Sequence, residues 1–155
     1  MSLRFLPMPT ETATAYWSGG KDAYGMVPER HVSDGDGVPC RHCLRLVGAG
    51  ETYLVLAHRP FPAVQPYAET GPIFLHAEPC TAHVPSEDLP PMLISRNYIV
   101  RGYSARDRIL YGTGAVVPTG DIPDYAATLL AREDVAYLHI RSARNNCYQC
   151  RIERA

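Results

Sequence analysis

Cys40-Arg41-His42-Cys43 and Ile73-Phe74-Leu75-His76-Ala77-Glu78-Pro79-Cys80 are the two stretches whose reading decides the fold. In the first, two cysteines with two residues between them can both point at one tetrahedral ion from a tight turn. Pro39 precedes the pair, and a turn marked by Gly48 and Gly50 follows it. One such knuckle supplies two ligands, so two more are needed. In the second stretch, Ile73 to Leu75 reads as a short strand. It delivers His76, and Cys80 follows after a short turn. The expected ligand set is Cys40, Cys43, His76 and Cys80, and the expected ion is zinc.

The surroundings give this site a physical motive. Three irregular stretches border it. The first carries Gly25, Pro28, Gly35, Gly37 and Pro39, the second Pro60, Pro62, Pro66, Gly71 and Pro72, and the third Pro79, Pro85, Pro90 and Pro91. Long loops bury little and cost much entropy to order. An ion that closes them offsets that cost. The plain alternative is a set of ordinary buried thiols, since free cysteine is among the most buried residue types. A redox dithiol is a weaker alternative. That motif normally opens a helix, and Gly48 and Gly50 come too soon for a long one.

A second Cys-x-x-Cys lies at Cys147 and Cys150. In a strand, positions three apart point to opposite faces. Cys150 is then expected to share a face with Tyr148 and Ile152 as a core thiol. Cys147, on the other face, is a second-choice ligand or a thiol beside the site.

Further out the chain becomes more regular. Leu3 to Leu6 reads as a strand. Thr10 can cap a helix to about Trp17, which Gly19-Gly20 ends. Tyr53 to Ala57 reads as a buried strand, while residues 18 to 39 read as loop. Tyr98 to Tyr103 and Ile109 to Val117 read as a strand pair, with Gly112 and Gly114 marking a bulge or close approach. Asp121 can cap a helix with Pro123 in its first turn and Ile122, Ala126, Leu129 and Leu130 on one face. Ala136 to Arg141 and Cys147 to Glu153 form a hairpin about Asn145-Asn146. The fold class expected is α+β: a mainly antiparallel sheet, two short helices and long loops pinned by the metal, in one domain over residues 1–155.

Composition narrows the function. The chain has 155 residues, 46% hydrophobic and 20% charged, which suits an ordinary folded domain. The net charge is −1, without the basic surplus that binding a nucleic-acid backbone needs. Arg141, Arg144, Arg151 and Arg154 cluster near the end and read as a solvated strand and turn. No apolar run approaches the roughly 18 residues of a membrane span, and the first residues lack the apolar core of a signal peptide. A cytoplasmic protein is expected. Five cysteines are an odd count for a disulfide framework.

Weaker motifs remain. Arg59, Arg101, Tyr103, Arg141 and Asn145 could line an anion pocket, because guanidinium forks suit carboxylates and phosphates. His139 points away from Leu138 and Ile140, toward a pocket or solvent. Ser18-Gly19-Gly20-Lys21-Asp22 looks like a phosphate loop but reads better as a helix end. Asp34-Gly35-Asp36 reads as a turn, not a calcium loop.

The arrangement of Cys-x-x-Cys, strand and His/Cys pair resembles a treble-clef zinc finger, with three residues instead of two between His76 and Cys80. Over the whole chain, several blocks are similar to a bacterial family known as domain of unknown function 1203. They are Asp22 to Gly25, Pro39 to Arg45, Tyr67 to Cys80, Val100 to Tyr103 and Arg141 to Cys147. The resemblance implies a bacterial source and a single domain, and no activity. Two readings follow from the residues. One is a zinc-stabilised binding or interaction module for a small molecule or protein. The other is an enzyme acting on a small anionic substrate, through metal-bound water or a cysteine nucleophile with His76 or His83 as base.

Overall fold

The alternation of apolar and polar residues in Tyr137–Ser142 builds the centre of the molecule. The computed structural model describes residues 2–155. This central strand, β7, lies in a five-stranded antiparallel sheet of order β1-β8-β7-β5-β6. Its companions are β1 (Leu3–Leu6), β5 (Asn97–Tyr103), β6 (Ala115–Pro118) and β8 (Tyr148–Arg154). A three-stranded antiparallel sheet, order β2-β3-β4, contains β2 (Glu29–Val32), β3 (Thr52–His58) and β4 (Gly71–His76). Two helices complete the fold, α1 (Thr10–Trp17) and α2 (Ile122–Leu130).

Helix α2 covers one face of the large sheet. Ile122, Ala126, Leu129 and Leu130 are its buried residues, the stripe expected from the sequence. They meet Phe5, Val100, Leu138, Ile140, Cys150 and Ile152. Each fully buried aliphatic side chain contributes about 1.5–3 kcal/mol, so apolar burial is the main term holding this half together. A second apolar cluster joins Met8, Ala13, Val38, Val47, Leu54, Leu56, Ile73 and Leu75 with Cys40 and Cys43. The small sheet's core is thus built around thiols.

Several local expectations change. Neither helix has a side-chain N-cap: the capping position of α1 is Pro9, and a 3-10 turn over Thr119–Asp121 leads into α2. Thr10 is already helical, and its hydroxyl is used elsewhere. Strand β2 lies within the stretch read as loop. It is exposed along its length, so no buried alternation marked it. The strand expected over residues 109–117 shortens to β6. Thr113 is buried, and its hydroxyl accepts the Gly102 N–H at 2.9 Å and donates to the Leu110 carbonyl at 2.5 Å. That side chain takes the place of a strand neighbour. Gly112, at φ +88°, turns the chain there and is not a strand bulge.

The bulge lies in β8. Ile140 pairs with Cys150 and Arg141 with Tyr148, leaving Gln149 as the extra residue. Tyr148 is thereby moved to the face opposite Cys150, against the expectation that the two share one. Cys150 stays in the α2 core, as expected for a core thiol, and Tyr148 joins the small sheet's cluster.

Among the described residues, no helix is long and apolar enough to cross a membrane.

Candidate metal centre

The knuckle is a short hairpin. Val47 N–H donates to the Val38 carbonyl at 2.8 Å, Cys40 N–H to Arg45 at 2.9 Å and Leu44 N–H to Cys40 at 2.9 Å. Leu44 closes the turn with φ 55°, a conformation uncommon outside glycine. Its side chain compensates by being fully buried in the α2 core. The tip of the knuckle is thus anchored in the other half of the molecule. Cys40 also bridges to Phe74 of β4, and the His76 N–H donates to Cys40 Sγ at 3.3 Å.

Strand β4 ends at His76, and the bend after it returns Cys80. One ligand atom from each of Cys40, Cys43, His76 and Cys80 lies within 4.8 Å of all the others, an arrangement that could hold a metal ion. Cys40 Sγ and Cys80 Sγ are 3.8 Å apart. Cys43 Sγ and His76 Nδ1 are 3.5 Å apart. A tetrahedral ion with metal–sulfur bonds of about 2.3 Å and metal–nitrogen bonds of about 2.0–2.1 Å requires edges of about 3.8 Å and about 3.6 Å. The donor set therefore fits. The other imidazole nitrogen, Nε2, faces Glu51 Oε2 at 3.8 Å, which favours Nδ1 as the ligand atom.

Charge crowding points the same way. Hydrogen bonds from Cys43 and Cys80 favour a thiolate at Cys40, well below the ordinary thiol range. Hydrogen bonds to Cys40 and Cys43 in turn push the Cys80 thiol up. His76 is pushed up to about 10 by hydrogen bonds to Cys40 and Cys43. Adjacent thiols cannot all ionise without a cation among them.

Several supporting residues escaped the sequence. His42, inside the knuckle, is buried, with Nδ1 3.2 Å from Cys80 Sγ and Nε2 2.9 Å from Thr10 Oγ1. Trp17 stacks edge-on to His42 at 5.1 Å and donates Nε1–H to the His76 carbonyl at 2.8 Å. Helix α1 is the cover of the site. Arg41 is buried with no carboxylate partner among the described residues, donating to the Tyr148 carbonyl at 2.7 Å and the Pro39 carbonyl at 2.6 Å. Burial lowers it to about 10, against the opposing pull of Cys147 and Cys40. The position of His42 between the two cysteines was visible, but only the fold brings Thr10 and Trp17 to it.

Cys147 does not join the four. It stands in the β7–β8 turn, its thiol 3.7 Å from the Asn145 carbonyl. The expected anion-pocket residues are partly gathered. Arg101, Tyr103 and Arg141 converge, but on Glu69: Arg101 Nη2 at 2.6 Å, Arg141 Nη2 at 2.8 Å and Tyr103 Oη at 3.1 Å. Arg59 is apart, donating to the Phe61 carbonyl at 3.2 Å. Asn145 lies at the edge of a cleft beside Arg141. His139 does not face solvent, but it lines the floor of a cleft with His58, Arg59 and Phe61, in line with the pocket reading. It is fully buried among the rings of Tyr103, Tyr148, Phe61 and Tyr137, at centroid distances of 4.7, 4.8, 5.1 and 5.1 Å. Asp22, from the glycine-lysine stretch, binds the backbone N–H groups of Tyr24, Met26 and Ala57. It organises a turn and a strand end.

No curated protein and no solved structure matches this chain. The family described as protein of unknown function (DUF1203) matches over residues 37–154, a span holding all four clustered side chains, and the chain belongs to that family.

Proposed function

We propose that this protein is a zinc-stabilised binding domain. The observation that carries the reading is the closed set of four ligand atoms, three sulfur and one nitrogen, from the knuckle and the bend after β4. Tetrahedral sulfur and nitrogen donors select zinc among common ions. Four protein ligands are the mark of a structural site, whereas a catalytic zinc keeps one position for water. The clefts on either side of Tyr148 are lined by other residues. Three thiolates and one divalent ion sum to −1, and the buried Arg41 guanidinium supplies the balancing charge.

One contact favours the cysteine-nucleophile alternative: Cys80, His42 and Thr10 form a chain of 3.2 and 2.9 Å. Neither His76 nor His83 plays that part. Around a metal the same chain orients a ligating sulfur.

Protein purified without chelator or metal resin decides between them. One zinc per chain, with the thiols of Cys40, Cys43 and Cys80 protected until the metal is removed, is expected. Freely titrating thiols and no metal would sink the zinc reading and turn attention to Cys80.

A further inference from the structure

The face of the large sheet turned away from α2 is unlike an ordinary solvated face. Strand pairing places Arg101 beside His139, Tyr103 beside Tyr137, His139 beside Arg151 and, through the bulge, Arg141 beside Tyr148. Phe61 and Glu69, from the loop between β3 and β4, close over this row. The result is a buried, aromatic and strongly cationic layer.

Its charges do not cancel. Glu69 is shared by two guanidinium groups, Arg101 and Arg141. Arg151 pairs with Glu153, which also faces Arg4 at 3.8 Å. Around Glu69 one positive charge is left over. Its hydrogen bonds do not cancel either. Arg141 is 3% exposed. Its Nε is held by Asn146 Oδ1 at 3.0 Å and the Asn146 carbonyl at 3.1 Å, and Nη2 by Glu69 at 2.8 Å. Nη1 is buried with no partner. Two residues along the same face, His139 has both ring nitrogens buried and unpartnered. Buried donors without acceptors are rare because each carries its full desolvation cost, and a charged one costs more. His139 faces a neighbouring cleft lined by His58, Arg59 and Phe61, whereas the unpaired nitrogen of Arg141 marks a place where an acceptor belongs.

A cleft lies there. It has a volume of about 350 Å³ and is lined by Glu69, Thr70, Arg141, Asn145, Asn146 and Tyr148 among others. This is within the range of small-molecule sites, roughly 300–1,000 Å³.

We propose that this cleft binds the oxyanion of a small molecule, a carboxylate or a phosphate, with Arg141 as its charged anchor and Asn145 at its rim. Arg141 lines the cleft, is pinned along two of its three nitrogens and keeps the third unpartnered, so little freedom is lost on binding. The Gln149 bulge turns Tyr148 to this face and completes the wall. The inference rests on reading the chain as a binding domain and not on the identity of the metal.

The test is titration of the metal-replete full chain with inorganic phosphate and, separately, with succinate, followed by amide NMR. Saturable shifts at Thr70 and Asn145 to Tyr148 with one probe are expected, and the probe that acts tells phosphate from carboxylate. Arg141→Gln is expected to weaken that binding about tenfold or more, the value of one charged hydrogen bond. Because Arg141 also holds Asn146, Glu69→Gln is the companion variant. It removes the competing carboxylate and is expected to tighten binding. No saturable shift with either probe, or binding that neither variant alters, overturns the proposal. Zinc content is measured on the same samples. Full zinc without anion binding sinks this inference alone, and anion binding without zinc sinks only the metal reading.

Discussion

The large sheet and the small sheet solve the same problem with different chemistry. Under α2, the inward residues of β1, β5, β7 and β8 are Phe5, Val100, Leu138, Ile140 and Ile152. Their burial offsets chain entropy directly. The small sheet has one exposed edge strand, β2, and two long loops. Its cluster includes Cys40 and Cys43, with Cys80 packed at its margin. There, an ion held by the clustered side chains would replace the apolar area that short elements cannot provide. Leu44 links the two, because it leaves the knuckle and enters the α2 core.

The sharpest way to break this comparison is Cys40→Ser, which removes a buried ligand. Structural zinc contributes about 10 kcal/mol or more of apparent binding energy in small zinc domains. Amides of β3 and β4 are expected to lose most of their hydrogen-exchange protection, while those of β5 and β7 keep theirs. Equal loss in both sheets would show one cooperative unit. Ile140→Ala strikes the other half. It is fully buried, and the expected cost is about 2–5 kcal/mol, read from denaturant midpoints, with zinc content unchanged.

At the seam, His58 is held down to about 4 chiefly by burial, with Arg41 and Arg59 adding to it. An unfolded imidazole titrates near about 6.5. The native state therefore binds fewer protons in between. The stability present above pH 6.5 falls as pH drops toward about 4. His139, held well below its ordinary value by burial and the surrounding arginines, acts in the same direction. Denaturant midpoints are expected to fall between pH 7 and pH 5, and His58→Gln is expected to reduce that fall. An undiminished fall in the variant would assign it to other groups.

The smallest effect belongs to the cover of the metal centre. Thr10→Val removes the partner of His42 Nε2. A loss of about 1 kcal/mol in stability is expected, with zinc affinity lowered roughly tenfold or more. Competition with a coloured chelator measures it. Unchanged affinity would show that α1 merely lies beside the site.

The four clustered side chains were legible because ligand spacing is local: Cys40 and Cys43 share one turn, and His76 ends a strand visible in Ile73 to Leu75. The α2 stripe was legible for the same reason, since helical period is written in consecutive residues. The supporting contacts were not. His42 meets Thr10 and Trp17 across long separations, and no spacing rule encodes a helix docking on a knuckle.

The sequence by itself determined the α+β class, the apolar face of α2, most strands and the clustered thiol and imidazole donors, all set by periodicity and by the donor chemistry of single residues. Only the tertiary structure decided which face Tyr148 takes, that Arg101, Tyr103 and Arg141 meet at Glu69, and that His139 is buried without a partner. A one-residue bulge inverts every face assignment beyond it, and convergence of distant strands depends on register, which the residues of one strand do not specify alone.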